Sequence, residues 1–99
     1  MTPTVFSFSG VKIIIFPQDH DPIHIHAQYA EYETIFELYF DCGKLSNIQT
    51  RCADKEALPP QIHKKVVKFI KKHYKKIVEK WTDIIILKKP IRLTRISDI

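Results

Sequence analysis

The sequence has little glycine, little cysteine and no long hydrophobic run, and each shortage excludes a class of protein. Gly10 and Gly43 are its only glycines, so it has no glycine-rich loop that could cradle phosphates. Cys42 and Cys52 match neither a CxxC nor a zinc-finger spacing, so we expect free thiols in a reducing cytoplasm. The longest apolar runs, such as Ile13–Phe16, have four residues, far short of the ~20 that a membrane-spanning helix needs. Without a recognisable signal peptide either, the sequence predicts a cytoplasmic protein with no membrane partner.

Acidic residues are also in deficit, and the imbalance favours negatively charged partners. Sixteen Lys and Arg stand against eleven Asp and Glu, which gives a net charge of +5 and a pI near 9.3. Nucleic acid and an acidic protein remain alternatives, because charge alone does not choose between them. The 99 residues, 44% of them hydrophobic, suffice for one core but not for two. We therefore predict a single α+β domain over residues 1–83, followed by a C-terminal strand or partly ordered tail over 84–99.

The first half of the chain has the patterns of β-strands. Residues 5–9 alternate apolar and small polar side chains, and residues 11–16 are nearly continuously apolar and rich in β-branched residues. Residues 23–29 and 32–40 have a period of two, and residues 45–52 form a weaker candidate. The third and fourth segments are so close that they predict a hairpin with Ala30 and Glu31 at its tip. The facing pairs would be Tyr29 and Tyr32, Gln28 and Glu33, His26 and Ile35, and His24 and Glu37.

The second half changes to helical spacing. Apolar residues recur at helical intervals from Ile62 to Trp81, which predicts an amphipathic helix from about Pro60 to about Thr82. Its opposite face carries eight lysines: Lys64, Lys65, Lys68, Lys71, Lys72, Lys75, Lys76 and Lys80. The predicted fold is a small antiparallel sheet of three or four strands packed on this one long C-terminal helix, with the lysines in water.

A dense histidine block, DHDPIHIHAQY, lies between the second and third predicted strands and continues into the third. With the start PTVFSFSGVKIIIF and the basic helix, it resembles the small bacterial and phage domains of the domain-of-unknown-function family 4160, over roughly residues 2–83. The chain departs from the family pattern at Ile23, Ile25 and Ala30, where proline, phenylalanine and glycine are usual. The positions that match are Asp19, His20, Pro22, His24, His26, Tyr29 and Tyr32.

The resemblance implies a fold and a site but no reaction. Members are often encoded beside another small domain, an arrangement similar to toxin–antitoxin pairs.

The histidine block has two chemical interpretations. His24 and His26 leave the same strand face roughly 6–7 Å apart, and Asp19 or His20 from the preceding loop would complete a site for Zn, Mn or Fe. Alternatively, Glu37 orients His24 as a general base, with His26 beside it. The alternative to both is structural: the aspartates and Pro22 build a turn, and the histidines line an outer sheet face or hydrogen-bond to neighbouring groups.

The leading functional hypothesis is an interaction module that binds an acidic protein or nucleic acid. The lysines, represented by Lys68 and Lys72, would supply attraction, and the histidine corner would supply specificity. Tyr29 and Tyr32 are candidate platforms on which bases could stack. A metal-dependent hydrolase or nuclease centred on the histidines is the second hypothesis, and whether the protein forms a homo-oligomer is left open.

Overall fold

The structure is a computed structural model that describes residues 4–16 and 23–88 and the backbone of 94–95. Within these residues there are six strands, one α-helix and one π-helical turn. They are β1 (Thr4–Phe8), β2 (Val11–Ile14), β3 (His24–Tyr29), β4 (Tyr32–Asp41), β5 (Lys44–Cys52), α1 (Pro60–Trp81), the π-helical turn (Thr82–Ile86) and β6 (Thr94–Arg95).

The strands form one sheet in the order β5-β4-β3-β2-β1-β6. Strands β1 to β5 follow one another as an antiparallel meander, and the two-residue β6 adds to β1 in parallel. The α+β class and the single long helix are confirmed, whereas the predicted three or four strands were too few. The additional strand of the meander is β5, whose weak apolar pattern reflects a largely exposed position at the sheet edge.

Helix α1 covers one face of the sheet with the stripe that its spacing predicted. Its buried positions are Ile62, Val66, Phe69, Ile70, Ile77 and Trp81. Pro60 occupies the first turn, where its missing N–H costs nothing. Phe69 packs edge-on against Phe6 and stacks on Phe8, with ring centroids 5.3 and 4.7 Å away. These aromatic contacts fix α1 over β1, at the centre of the core.

The β3–β4 hairpin has the predicted register, pair for pair, with Ala30 and Glu31 at its tip. Ala30 adopts a φ of +52°, in the left-handed region that a Cβ disfavours. A strained alanine is tolerated because β3 and β4 are each hydrogen-bonded to a neighbouring strand on either side. The surrounding sheet therefore fixes the conformation of the turn. The period-two pattern therefore decided the register against the preference of the turn residues.

Within residues 84–99, for which a strand or a tail was predicted, β6 is a strand, whereas the segment next to α1 is helical. It continues the helix as a π-helical turn, in which Leu87 N donates to Thr82 O at 3.0 Å. Ile84 is buried in the core, while Ile86 and Leu87 are 65% and 54% exposed. Isoleucine runs favour strands, but docking of Ile84 against the core outweighs that local preference. None of the described helices is long and apolar enough to cross a membrane.

The loop before α1 is tied to the sheet by a buried hydrogen bond from Leu58 N to Thr34 Oγ1, 3.0 Å long. Thr34→Val keeps the side-chain shape but leaves this amide without its acceptor, and we expect it to lower the free energy of unfolding by about 1–3 kcal/mol. Urea denaturation followed by circular dichroism measures the loss. Thr50→Val, at an exposed position of β5, is the matched control. Equal stability of the two variants would contradict a structural role for this bond.

Candidate functional site

The two histidines of β3 lie side by side, as the strand pattern predicted. The ring centroids of His24 and His26 are 5.5 Å apart and the rings are tilted by 58°. Their neighbours on the adjacent strands follow the register, in which His24 faces Glu37 and His26 faces both Ile14 and Ile35. The candidate residues of the hairpin are therefore brought together.

The histidines are nevertheless not on an exposed face, and that expectation was wrong. His24 is only 6% exposed and packs edge-on against Trp81, with ring centroids 5.3 Å apart. His26 is perpendicular to the ring of Phe16 at 4.7 Å, and its side chain is 13% exposed. Alternation alone predicted exposure because the residues are polar. Aromatic side chains from the end of α1 and the end of β2 cover them instead.

Among the described residues, Glu33 is an acid in direct contact with a histidine, and it was not among the candidates. Glu33 Oε2 lies 3.1 Å from His26 Nδ1, and Gln28 Nε2 donates to Glu33 Oε1 at 2.7 Å. Glu33 faces Gln28 across the hairpin, so it is the diagonal neighbour of His26. The contact between Glu33 and His26 could have been predicted from the hairpin register, because long side chains at diagonal positions of a hairpin are within reach of each other.

Glu37, the predicted orienting acid for His24, binds other groups. Its Oε2 lies 3.0 Å from Arg51 Nε, and its Oε1 accepts a hydrogen bond from the Tyr39 hydroxyl at 3.1 Å. Burial raises the pKa of Tyr39, and the hydrogen bond to Glu37 raises that pKa further. Glu37 thus joins β4 to β5, and its catalytic role with His24 and His26 stays a prediction.

The predicted metal site depends partly on residues outside the described part of the chain. Asp19 and His20 lie outside it, so the structure does not place them. Across residues 4–16 and 23–88, no group of three or more His, Cys, Asp or Glu side chains is arranged to hold a metal ion. Both cysteines are free and exposed. Binding of Zn, Mn or Fe by Asp19, His20, His24 and His26 therefore stays a prediction.

The tyrosines proposed as stacking platforms, Tyr29 and Tyr32, face each other at the tip of the hairpin. Both are half-buried and pack against the core. A Cβ on Gly10 would lie 3.4 Å from the Tyr29 ring, so this ring also rests on the β1–β2 turn. The negative charge of Glu31 raises the pKa of Tyr32, and burial adds to the effect. The contacts of both rings are structural, and base stacking stays a prediction.

The lysines of α1 are where the sequence placed them, and they form the most extensive charged surface of the described residues. We call this surface the lysine face. Its exposed members are Lys64, Lys65, Lys68, Lys71, Lys72, Lys75 and Lys76. Lys80 is half-buried, and Glu79 is the only acidic residue in the helix. The predicted binding residues Lys68 and Lys72 lie near the middle of this face.

These features define a small α+β domain with an antiparallel meander, a covered histidine pair and one basic helix. The model of the family described as Domain of unknown function (DUF4160) matches residues 10–82, and the chain belongs to this family. Comparisons with curated proteins and with solved structures each gave no match. The family description names no activity, so the hydrolase and toxin–antitoxin hypotheses stay predictions.

Proposed function

We propose that this domain is an interaction module that binds an acidic macromolecule on the lysine face of α1. The observation that carries the proposal is the segregation of charge. Helix α1 contains eight lysines and one glutamate, a net charge of +7. Because the whole chain carries +5, the other residues together carry −2. All of the positive excess therefore lies on one helix.

The arrangement of the lysines suits extended contact with a negatively charged surface. They recur at intervals of one, three and four residues, and the exposed lysines from Lys64 to Lys72, before the non-helical His73, extend over about 12 Å along the helix at 1.5 Å per residue. Like charges at these spacings destabilise an isolated helix slightly, and the buried stripe of α1 offsets that cost. A bound polyanion would relieve the repulsion, which is a contribution to binding that an evenly charged surface lacks.

Charge reversal on the helix tests the proposal. We expect the protein to bind a labelled DNA duplex or a labelled polyglutamate peptide, with an affinity that falls steeply between about 50 and 200 mM salt. Lys68→Glu combined with Lys72→Glu should weaken binding by about tenfold or more, because it removes two attractive charges and introduces two repulsive ones. Fluorescence anisotropy measures both effects.

The matched control is Lys12→Glu combined with Lys55→Glu. Both lysines are exposed and lie outside α1, and the double variant changes the net charge by the same amount. We expect it to retain most of the affinity. Equal losses in the two double variants would show that overall charge, rather than the lysine face, determines binding. The proposal would also be refuted if the wild-type protein bound neither the DNA duplex nor the polyglutamate peptide.

A further inference from the structure

Strand β5 is an open edge of the sheet. Among the described residues it pairs only with β4, and seven of its nine residues are exposed. The strand contains Lys44 and Arg51 and no acidic residue. An edge strand presents backbone groups to which another strand can bind, unless charge, proline or a covering segment prevents it. Arg51 is already paired with Glu37, so Lys44 is the charge of β5 that would repel a second copy of the strand and attract an acidic one.

The ladder geometry shows which backbone groups face outward. Leu38 N donates to Ile23 O at 2.8 Å, so the backbone groups of Leu38 point toward β3 and away from β5. Leu38 faces Ile48 in the β4–β5 register. In an antiparallel ladder such a pair is not hydrogen-bonded, and the backbone groups of Ile48, and those of Thr50 two residues on, point away from β4. Both residues are therefore poised to pair with an added strand.

A groove of about 580 Å³ lies between β5 and α1. Half-buried apolar side chains form part of its lining, with Leu45 and Ile48 from β5 and Val67 and Tyr74 from α1. Ile48 and Thr50, whose backbone groups face the free edge, also line this groove. A strand added to β5 would direct every second side chain toward the same side of the sheet as the groove.

The charges around the groove indicate which kind of ligand it can bind. Lys71 lines it, and an adjoining depression of about 390 Å³ is lined by Lys64, Lys68 and Lys71. Among the described residues, neither the groove nor the depression is lined by Asp or Glu. A nucleic acid would use the lysines but not the apolar part of the lining, whereas a peptide with alternating apolar and acidic side chains would use both.

From these observations we propose that β5 and the groove beside it bind an acidic protein segment that adds to the sheet as a further strand. This inference rests on the proposed function and names the class of partner. Backbone hydrogen bonds to Ile48 and Thr50 supply affinity that does not depend on salt. Apolar side chains of the segment enter the groove, and its carboxylates contact the flanking lysines, which makes the rest of the affinity salt-dependent.

A proline substitution tests the backbone contribution directly. The probe is a labelled peptide of about eight residues that alternates valine and glutamate, the length of an ordinary strand. Thr50→Pro removes one outward N–H without removing a β4–β5 ladder bond, and proline is tolerated at a sheet edge. We expect it to weaken peptide binding by about tenfold, whereas Thr50→Ala, which keeps the N–H, should stay within about twofold of wild type.

A second pair of variants keeps the inference testable if Thr50→Pro does not fold. Lys71→Glu, within the groove, should weaken peptide binding by about tenfold, and Lys76→Glu, exposed on α1 but outside both depressions, should have a smaller effect. Equal effects of the two lysine variants, or of the two Thr50 variants, would overturn the inference. So would tighter binding of the DNA duplex than of the peptide, although DNA binding would leave the proposed function intact. If the protein bound neither this peptide nor the DNA duplex nor polyglutamate, both proposals would be refuted.

Discussion

Phe69→Ala is expected to lower the free energy of unfolding by about 3–5 kcal/mol, the usual cost of truncating a buried phenylalanine. The Phe69 side chain is fully buried and contacts the rings of Phe6 and Phe8. Because these contacts join α1 to β1, the substitution removes both buried apolar area and two aromatic pairs. Urea denaturation monitored by circular dichroism gives the loss from the change in transition midpoint.

Val67→Ala is the control for Phe69→Ala. Val67 lies on the same helix but is only half-buried at the edge of the core. Its truncation should cost about 1 kcal/mol or less, since fewer methyl groups leave a fully packed environment. If the two variants were equally stable, Phe69 would not be a central contact between the helix and the sheet. Other fully buried residues of α1, such as Ile70 and Ile77, would then be the main contacts between the helix and the sheet.

The parts of the fold that follow from local periodicity were predicted correctly. The spacing of Ile62 to Trp81 gave the buried stripe of α1, and the period of two in β3 and β4 gave the hairpin register. Both patterns repeat over many residues, so a one-residue error would expose a complete apolar face. The lysine face followed for the same reason, because it is the complement of the buried stripe.

The surroundings of the histidines were not predictable in this way. His24 and Trp81 are 57 positions apart along the chain, and their contact depends on where α1 ends over the sheet. The alternation of a strand tells which face a residue occupies but not whether another element covers that face. Glu33 is different, because the correct register already placed it diagonal to His26. The predicted interaction was between the directly facing residues His24 and Glu37, whereas the observed contact joins the diagonal residues His26 and Glu33.

His24→Ala is expected to lower the free energy of unfolding by about 2–4 kcal/mol, as for other large-to-small substitutions of buried side chains. The imidazole is 6% exposed and contacts the rings of Trp81 and His26, so its removal leaves a cavity beneath the end of α1. Gln49→Ala is the control, because Gln49 is exposed in β5 and faces Glu37 in the same row of the sheet. Its cost should stay within about 0.5 kcal/mol.

The same variant separates a packing role of His24 from a metal-binding role. A residue that acts by packing should affect stability equally with Zn²⁺ and with a chelator present, and the folded variant should still bind polyanions through its unchanged lysine face. A metal ligand behaves differently, because a metal that binds only the folded state raises the free energy of unfolding by RT ln(1 + [L]/Kd), and with it the unfolding midpoint. If Zn²⁺ stabilised the wild-type protein but not His24→Ala, His24 would be a ligand, together with residues outside the described part of the chain. Its burial against Trp81 would then shield a metal centre rather than complete the core.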